Sequence, residues 1–216
     1  MQQKVVRLRR AGRPTQGEAE RLNDEIVQAA LDVFVRVGFS GASMEQVVQE
    51  SGATRRSVVH RFADKEALLL AVVDARMHRL VTSVIEPEAM LSAKPLETLR
   101  DSCSLMYQGV LASDYVEFYR LCIAEAARFP GISARFIAFN DRLASDLEGL
   151  VMRAQRAGAF NGMKPSTIAT SLIGVFISNP LNRLTLGDPQ FSSAQFRHSY
   201  FQEMWELVIA HARGQA

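Results

Sequence analysis

Cysteine is scarce in this sequence, which has only two, Cys103 and Cys122, among its 216 residues. Neither belongs to a C-x-x-C pair, and no group of cysteines and histidines has the spacing of metal ligands. The sequence therefore predicts no metal site and no cofactor. Two cysteines could form one disulfide, but we expect buried free thiols in a reducing cytosol.

Long apolar runs are also missing. The run LLLAVV at 68–73 is far shorter than the roughly 20 apolar residues that cross a bilayer. No apolar stretch follows the N-terminal charges, as it would in a signal peptide. Catalytic motifs such as a P-loop, GxSxG or HExxH are absent. These absences predict a cytoplasmic protein with no membrane partner and no catalytic residues.

Helical periodicity dominates what the sequence does contain. Hydrophobic residues make up 48% of the composition and charged residues 22%, as in a globular protein with a core. Apolar residues recur at three- and four-residue steps, and no strand pattern or internal repeat is evident. We expect an all-α fold in three parts. They are a flexible basic arm at 1–18, a small helical domain at 19–66, and a larger helical domain at 67–216.

Glycines, prolines and capping residues set the expected helix boundaries. The first helix is predicted from Leu22 to Val37, where Gly38 ends it. A short helix after Ser43 breaks at Gly52. The remaining helices are expected at 54–62, 64–84, 95–111, 114–129, 132–157, 165–181 and 193–212.

Positive charge is unevenly placed, although the net charge is only +2. One basic cluster precedes the first acidic residue, Glu18, and another spans 55–65. Such clusters bind phosphate even when the total charge is near zero. In the first cluster, Gly12-Arg13-Pro14 resembles the core of an AT-hook, so Arg13 is expected in the minor groove of A·T-rich DNA. A solvated tail that makes no DNA contact is the alternative.

Two short helices separated by a glycine form the centre of a helix-turn-helix motif. Ser43 and Gln46 fit a capping box at the start of the first, and Thr54 is a good N-cap for the second. The side of the second helix with Val58 and Phe62 would face the core. Its other side could then enter the major groove, where arginine bonds guanine O6 and N7. The residues expected at DNA from this segment are Thr54, Arg55, Arg56, Ser57, Val59, His60, Arg61 and Lys65.

Residues 22–73 resemble the N-terminal domain of the TetR/AcrR transcriptional regulators. The matching pieces are G-F-x-x-x-S before the first short helix, the V-V-x-E-S-G-A-T turn, and D-K-E-A-L after the recognition helix. The resemblance implies a helix-turn-helix DNA-binding domain at 19–66 and a helical effector-binding and dimerisation domain at 67–216. It further implies a homodimer that binds an inverted-repeat operator in double-stranded DNA and is released by a small-molecule effector.

The resemblance also places Ser43, Met44 and Glu45 near DNA. Glu45 could accept a hydrogen bond from cytosine N4, pair with Arg55 or Arg56, or only favour its helix N-terminus. Family members usually carry a tyrosine where this chain has Val59. Valine keeps a methyl contact but offers no hydroxyl to phosphate, a role that His60 or Arg61 could take.

The stretch FYRLCIAEAARFPGISARFIAFNDRL resembles, more loosely, the ligand-binding part of one branch of the same family. This implies an effector site among the C-terminal helices, and a four-helix bundle in which helices at 166–181 and 193–212 pair with a second copy. Glu125, if buried, would suggest a cationic effector; it could instead be a helix-surface acid, or pair with Arg120 or Arg128. The candidates for the effector site are Tyr107, Phe118, Cys122, Glu125, Phe139, Asn140, Phe176 and Asn179, although aromatics on a helical stripe often belong to the core. The large apolar residues expected on the dimer face are Phe201, Met204, Trp205 and Val208.

Three functions can be weighed from these observations. The leading one is a homodimeric repressor that responds to a ligand. The second is a DNA-binding structural or adaptor protein without a small-molecule effector. The third is an enzyme, but His78, His198 and His211 in the helical C-terminal part have no evident nucleophile or metal partner.

Overall fold

The computed structural model describes residues 16–85 and 94–214, without the side chains of 81–85. Every element in this part of the chain is helical, which confirms the all-α fold. Arg13 and most of the predicted arm at 1–18 lie outside the described residues. Residues 16–18 belong to the first helix, so the boundary drawn at 18 was wrong by these residues.

Four helices form the described residues of the N-terminal part. The first begins before the predicted Leu22, and Gln16 bonds Glu20 one turn on at 3.0 Å. Gly38 breaks it as predicted, with φ of 73° and ψ of 162°, and one further helical turn follows. The four helices are α1 (Gln16–Gly41), α2 (Met44–Ser51), α3 (Arg55–Arg61) and α4 (Lys65–Ile85).

The C-terminal part is a larger set of packed helices. Pro95, Pro130 and Pro165 each open a helix, where a missing N–H costs nothing. The predicted helix at 114–129 is shorter in the structure and gives way to a turn before Pro130. The elements are α5 (Pro95–Val110), α6 (Ser113–Glu125), α7 (Pro130–Arg156), α8 (Pro165–Ile173), α9 (Asn179–Thr185), α10 (Pro189–Ser192) and α11 (Ala194–Ala212).

A π-helical turn, Gly174–Ser178, joins α8 to α9. Pro180 has no N–H, so the usual bond to the carbonyl four residues earlier cannot form there. The N–H of Asn179 instead bonds the carbonyl of Gly174, five residues back. Such wide turns are rare and occur frequently at functional sites. The predicted continuous helix at 165–181 is therefore interrupted by this turn.

A hydrophobic core runs through both parts of the chain. In the N-terminal part, Phe34, Val47 and Val58 are completely buried and hold α1, α2 and α3 together. The two parts also touch directly, because the ring of Phe39 at the end of α1 meets that of Phe129 edge-on at 4.8 Å. The N-terminal part is thus packed against the turn that precedes α7.

Candidate nucleic-acid interface and effector groove

The turn between α2 and α3 is fixed by local hydrogen bonds. Ser43 Oγ accepts from the N–H of Gln46 at 3.2 Å, and Gln46 Oε1 accepts from the N–H of Ser43 at 2.7 Å. This is the predicted capping box. Gly52, at φ of 66°, then takes the left-handed conformation that favours glycine. Thr54 Oγ1 accepts from the N–H of Ser57 at 3.1 Å and starts α3.

Helix α3 has one anchored side and one open side. Val58 is completely buried and Phe62 is 7% exposed, so both belong to the core as predicted. The side chains on the open side belong to Thr54, Arg55, Arg56, Val59 and His60, while Ser57 and Arg61 are half-buried. Arg61 donates to the carbonyl of Ser57 at 3.1 Å, which keeps its guanidinium along the helix.

Two of the predicted DNA residues are joined by an ion pair. Glu45 in the first turn of α2 lies 3.0 Å from Arg55 at the start of α3, and both side chains are exposed. Of the alternatives considered for Glu45, the structure shows this pair and the position in the first helical turn. Ser43 and Met44 are half-buried beside it.

Lys65 is engaged inside the protein. Its Nζ donates to the carbonyls of Phe39 at 2.6 Å and Ala42 at 2.8 Å. It also lies 4.4 Å from the centroid of the Phe39 ring. The sequence placed Lys65 at a DNA phosphate, but here its ammonium closes the end of α1 onto the start of α4. Sequence spacing gave no sign of this contact.

The predicted effector residues do not form one site. Phe118, Cys122 and Phe176 are buried in the core, and Tyr107 is buried with its hydroxyl donating to the carbonyl of Arg197 at 2.8 Å. Glu125 is half-buried at the end of α6.

Arg120 and Arg128 are engaged elsewhere. Arg120 donates to the carbonyls of Leu184 and Thr185, and Arg128 lies over the ring of Phe129. Within residues 16–85 and 94–214, neither arginine pairs with Glu125, so that alternative was wrong.

Three of the predicted residues do meet. Phe139, Asn140 and Asn179 line a groove of about 460 Å³ between α6, α7, the π-helical turn and α9, here called the amide groove. Sequence reasoning missed its other polar and aromatic residues. The complete lining is Tyr119, Phe136, Phe139, Asn140, Gly174, Ile177, Ser178, Asn179, Leu181 and Asn182.

The predicted dimer face needs a correction. Phe201 and Trp205 are 5% and 4% exposed, and Phe176 packs against both of their rings, so these two residues belong to the chain's own core. Met204 and Val208 line an open apolar groove of about 280 Å³ between α8 and α11. Leu207, which the sequence argument left out, lies beside them and is 54% exposed.

Helix α4 is tied to the C-terminal part by two ion pairs. Arg76 is 8% exposed and lies 2.8 Å from Asp114 at the start of α6. Arg135 on α7 lies 2.7 Å from Asp74. The sequence argument missed Arg76, although the signal was present. It stands on the apolar stripe of α4, three residues after Val73 and one before Met77, where a cation needs a partner.

The two cysteines are free and buried, which confirms the predicted thiols. Burial raises the pKa of both Cys103 and Cys122 to about 12. In the described part of the chain, no three His, Cys, Asp or Glu side chains come together as metal ligands would. None of the helices there combines the length and apolar character that crossing a membrane requires.

A small helical domain with an exposed basic recognition helix, joined to a larger helical domain, defines a helix-turn-helix transcriptional regulator. Residues 26–72 match the profile described as "Bacterial regulatory proteins, tetR family". Residues 97–210, more than half of the chain, match "AefR-like transcriptional repressor, C-terminal domain". The chain therefore belongs to the TetR family of transcriptional regulators, with an AefR-like C-terminal domain, and is not an enzyme.

Individual relatives agree with this assignment. SrpR, an HTH-type transcriptional regulator of Pseudomonas putida, is 41% identical over 68 residues, which cover 32% of each chain. The match thus spans about a third of that relative's length. NicS, an HTH-type transcriptional repressor of Pseudomonas putida, is 26% identical over 149 residues, covering 68% of this chain and 67% of NicS.

A solved structure shares the fold along nearly the whole chain. The TetR-family regulator from Mesorhizobium loti superposes with a TM-score of 0.76 and 21% identity. The superposition covers 92% of this chain and 97% of the other. The all-helical architecture is therefore shared with that solved structure.

Proposed function

We propose that this regulator is a homodimeric repressor that binds an inverted-repeat operator and leaves it when a small molecule binds. The observation that carries the proposal is the open side of α3. Arg55, Arg56 and His60 are exposed there, while Val58 on the opposite side is completely buried. A helix held in this way can enter a major groove without losing its packing.

The roles on α3 follow from which groups are engaged. Arg56 has no side-chain partner within the described residues, so it is the first candidate to bond guanine O6 and N7. Arg55 must exchange Glu45 for a base or a phosphate. Val59, 49% exposed, offers methyl groups to thymine. His60 and Arg61 serve phosphates in this proposal.

The remaining proposed contacts lie around α3. Ser43, Met44, Thr54 and Ser57 complete the interface, and Arg13 keeps its proposed minor-groove role. Lys65 becomes a positioning residue that holds the domain together.

Dimerisation supplies two recognition helices, one for each half-site of the operator. One recognition helix reads few base pairs, and two helices about one turn of DNA apart read a palindrome. The apolar groove between α8 and α11 supports a two-fold contact, because Met204, Leu207 and Val208 leave apolar surface open to solvent.

We expect Leu207→Glu to give a monomer with unchanged helix content, because the carboxylate would be desolvated in the dimer but solvated in the monomer. Sedimentation equilibrium measures the association, and circular dichroism the helix content. Ile123→Glu is the matched control, since Ile123 is 52% exposed on α6. If the Leu207→Glu protein is still a dimer, the dimer interface lies elsewhere on the molecule.

Release requires an effector that prefers a conformer with lower DNA affinity. Helix α4 is the natural carrier of the change, because Asp74 and Arg76 fasten it to α7 and α6 while Lys65 at its start fastens α1. A shift of α6 or α7 around a ligand would thus reach the DNA-binding part. The direct contact of Phe39 with Phe129 provides a second route.

The proposal is tested by selecting bound DNA from a random duplex pool with the purified protein. We expect an inverted repeat, and we expect the Arg55→Ala/Arg56→Ala double variant to lose it, at about 1–3 kcal/mol for each lost guanine contact. Binding that is indifferent to sequence and strongly salt-dependent would disprove the proposal that the protein binds a specific operator. Dense binding at many sites without ligand release would favour the adaptor alternative.

A further inference from the structure

We infer that the amide groove binds a neutral, aromatic ligand that carries hydroxyl or carbonyl groups, such as a phenolic compound. The inference rests on the proposed function and names the class of its effector. The groove's volume of about 460 Å³ is within the range of small-molecule sites. Its lining combines three aromatic rings with three carboxamides and includes no charged side chain.

The aromatic side of the groove offers both a face and an edge. Phe136 stands edge-on to Tyr119 at 5.7 Å, and its ring runs nearly parallel to that of buried Phe118 at 6.3 Å. Phe139 lies one helical turn further along α7. Rings arranged in this way favour an aromatic ligand, which can stack on one ring and meet another edge-on.

The polar side offers amides that can bond a ligand. Asn179 donates to the Tyr200 hydroxyl at 3.1 Å, and that hydroxyl donates to the Val175 carbonyl at 3.0 Å. These two hydrogen bonds set the orientation of the Asn179 amide. In the described part of the chain, the side chains of Asn140 and Asn182 have no hydrogen-bond partner. Each amide both donates and accepts, which suits hydroxyl and carbonyl groups.

No side chain that lines the amide groove carries a charge. The nearby arginines are engaged elsewhere: Arg120 with the carbonyls of Leu184 and Thr185, and Arg183 with Asp188. A charged ligand would therefore find no counter-ion in the lining, whereas a neutral ligand needs none. A cation at Glu125, the alternative from the sequence, would lie outside this lining.

Gly174 leaves the space that a ligand would fill. It has ordinary helical φ and ψ of −57° and −48° at the start of the π-helical turn, and a Cβ there would meet no atom within 4 Å. A side chain at this position would occupy the groove without straining the backbone. Gly149 on α7 is exposed and equally unobstructed, but it is not part of the lining.

The test is calorimetric titration of the full chain with three probes: resveratrol, a biphenyl carboxylate and a biphenylmethyl ammonium ion. We expect resveratrol to bind and the two ions to bind more weakly. Gly174→Leu should weaken the binding of resveratrol by at least about tenfold, a change of about 1.4 kcal/mol in binding free energy. Gly149→Leu should match the wild type. Asn140→Ala should lower the affinity for resveratrol by about two- to tenfold, the range of a single hydrogen bond.

Four results would overturn the inference: no binding of resveratrol by a protein that still binds its operator, tighter binding of either ion, no effect of Gly174→Leu on resveratrol binding, or loss of the dimer in Gly174→Leu. The last would mean that a second copy covers the groove. Operator binding, followed separately by gel shift, distinguishes this failure from failure of the proposed function. A protein that binds its operator but not resveratrol disproves the ligand class only.

Discussion

Replacing Lys65 with methionine is expected to lower the free energy of unfolding by about 3 kcal/mol, the lower end for two hydrogen bonds to a charged group, because Lys65 is only half-buried. The Lys65 ammonium bonds the carbonyls of Phe39 and Ala42, and a hydrogen bond to a charged group contributes about 1.5–3 kcal/mol. Methionine keeps the apolar stem but leaves both carbonyls without this donor. Denaturant unfolding at fixed protein concentration measures the loss.

The matched control is Arg56→Met, which removes an exposed cation from the same domain. It should leave the unfolding midpoint unchanged and weaken operator binding. Lys65→Met should do the reverse under conditions where it is still folded. A Lys65→Met protein with wild-type stability and weakened, less salt-dependent DNA binding would restore the phosphate role expected from the sequence.

Replacing Asp114 with alanine is expected to destabilise the protein by about 3 kcal/mol, the lower end of the cost of leaving a buried charge unpaired. Arg76 is 8% exposed, whereas Asp114 is 63% exposed, so water can replace part of the lost carboxylate. Arg76→Met should cost less, because no charge then remains buried. Thermal unfolding of the two variants gives the comparison, and equal losses would contradict the argument.

The same pair predicts a pH dependence. Burial favours the neutral Asp114 carboxyl, but the hydrogen bond and positive charge of Arg76 outweigh it and lower the pKa. The pair's contribution to the free energy of unfolding is therefore complete above pH 3.8, the ordinary pKa of the carboxyl. It is lost as the pH falls through the lowered pKa of Asp114. The stability difference between wild type and Asp114→Asn should shrink on acidification.

The recognition motif was predictable because its determinants are local. Ser43 with Gln46 and Thr54 with Ser57 cap their helices across three residues, and Gly52 supplies the turn between them. Patterns over such short distances are readable without knowledge of packing. Lys65 shows the limit, since its partner Phe39 lies 26 residues away and no spacing rule connects them.

The effector and dimer residues were only partly predictable because one apolar stripe serves several surfaces. On α11, Phe201 and Trp205 turn into the core, while Leu207 remains open. On the helices around the amide groove, Phe118 is buried and Phe139 lines the groove. Composition cannot separate these cases, because burial depends on how neighbouring helices pack against each stripe.

The ion pair of Glu45 with Arg55 also bears on how this protein searches a chromosome. A repressor must find one operator among very many competing stretches of DNA, and those stretches hold it mainly through phosphate contacts. In the free protein, Glu45 neutralises one of the cations that would strengthen such holding. We expect the acid thereby to shorten each stay on the wrong sequence, so that a larger share of the molecules is free to reach the right one.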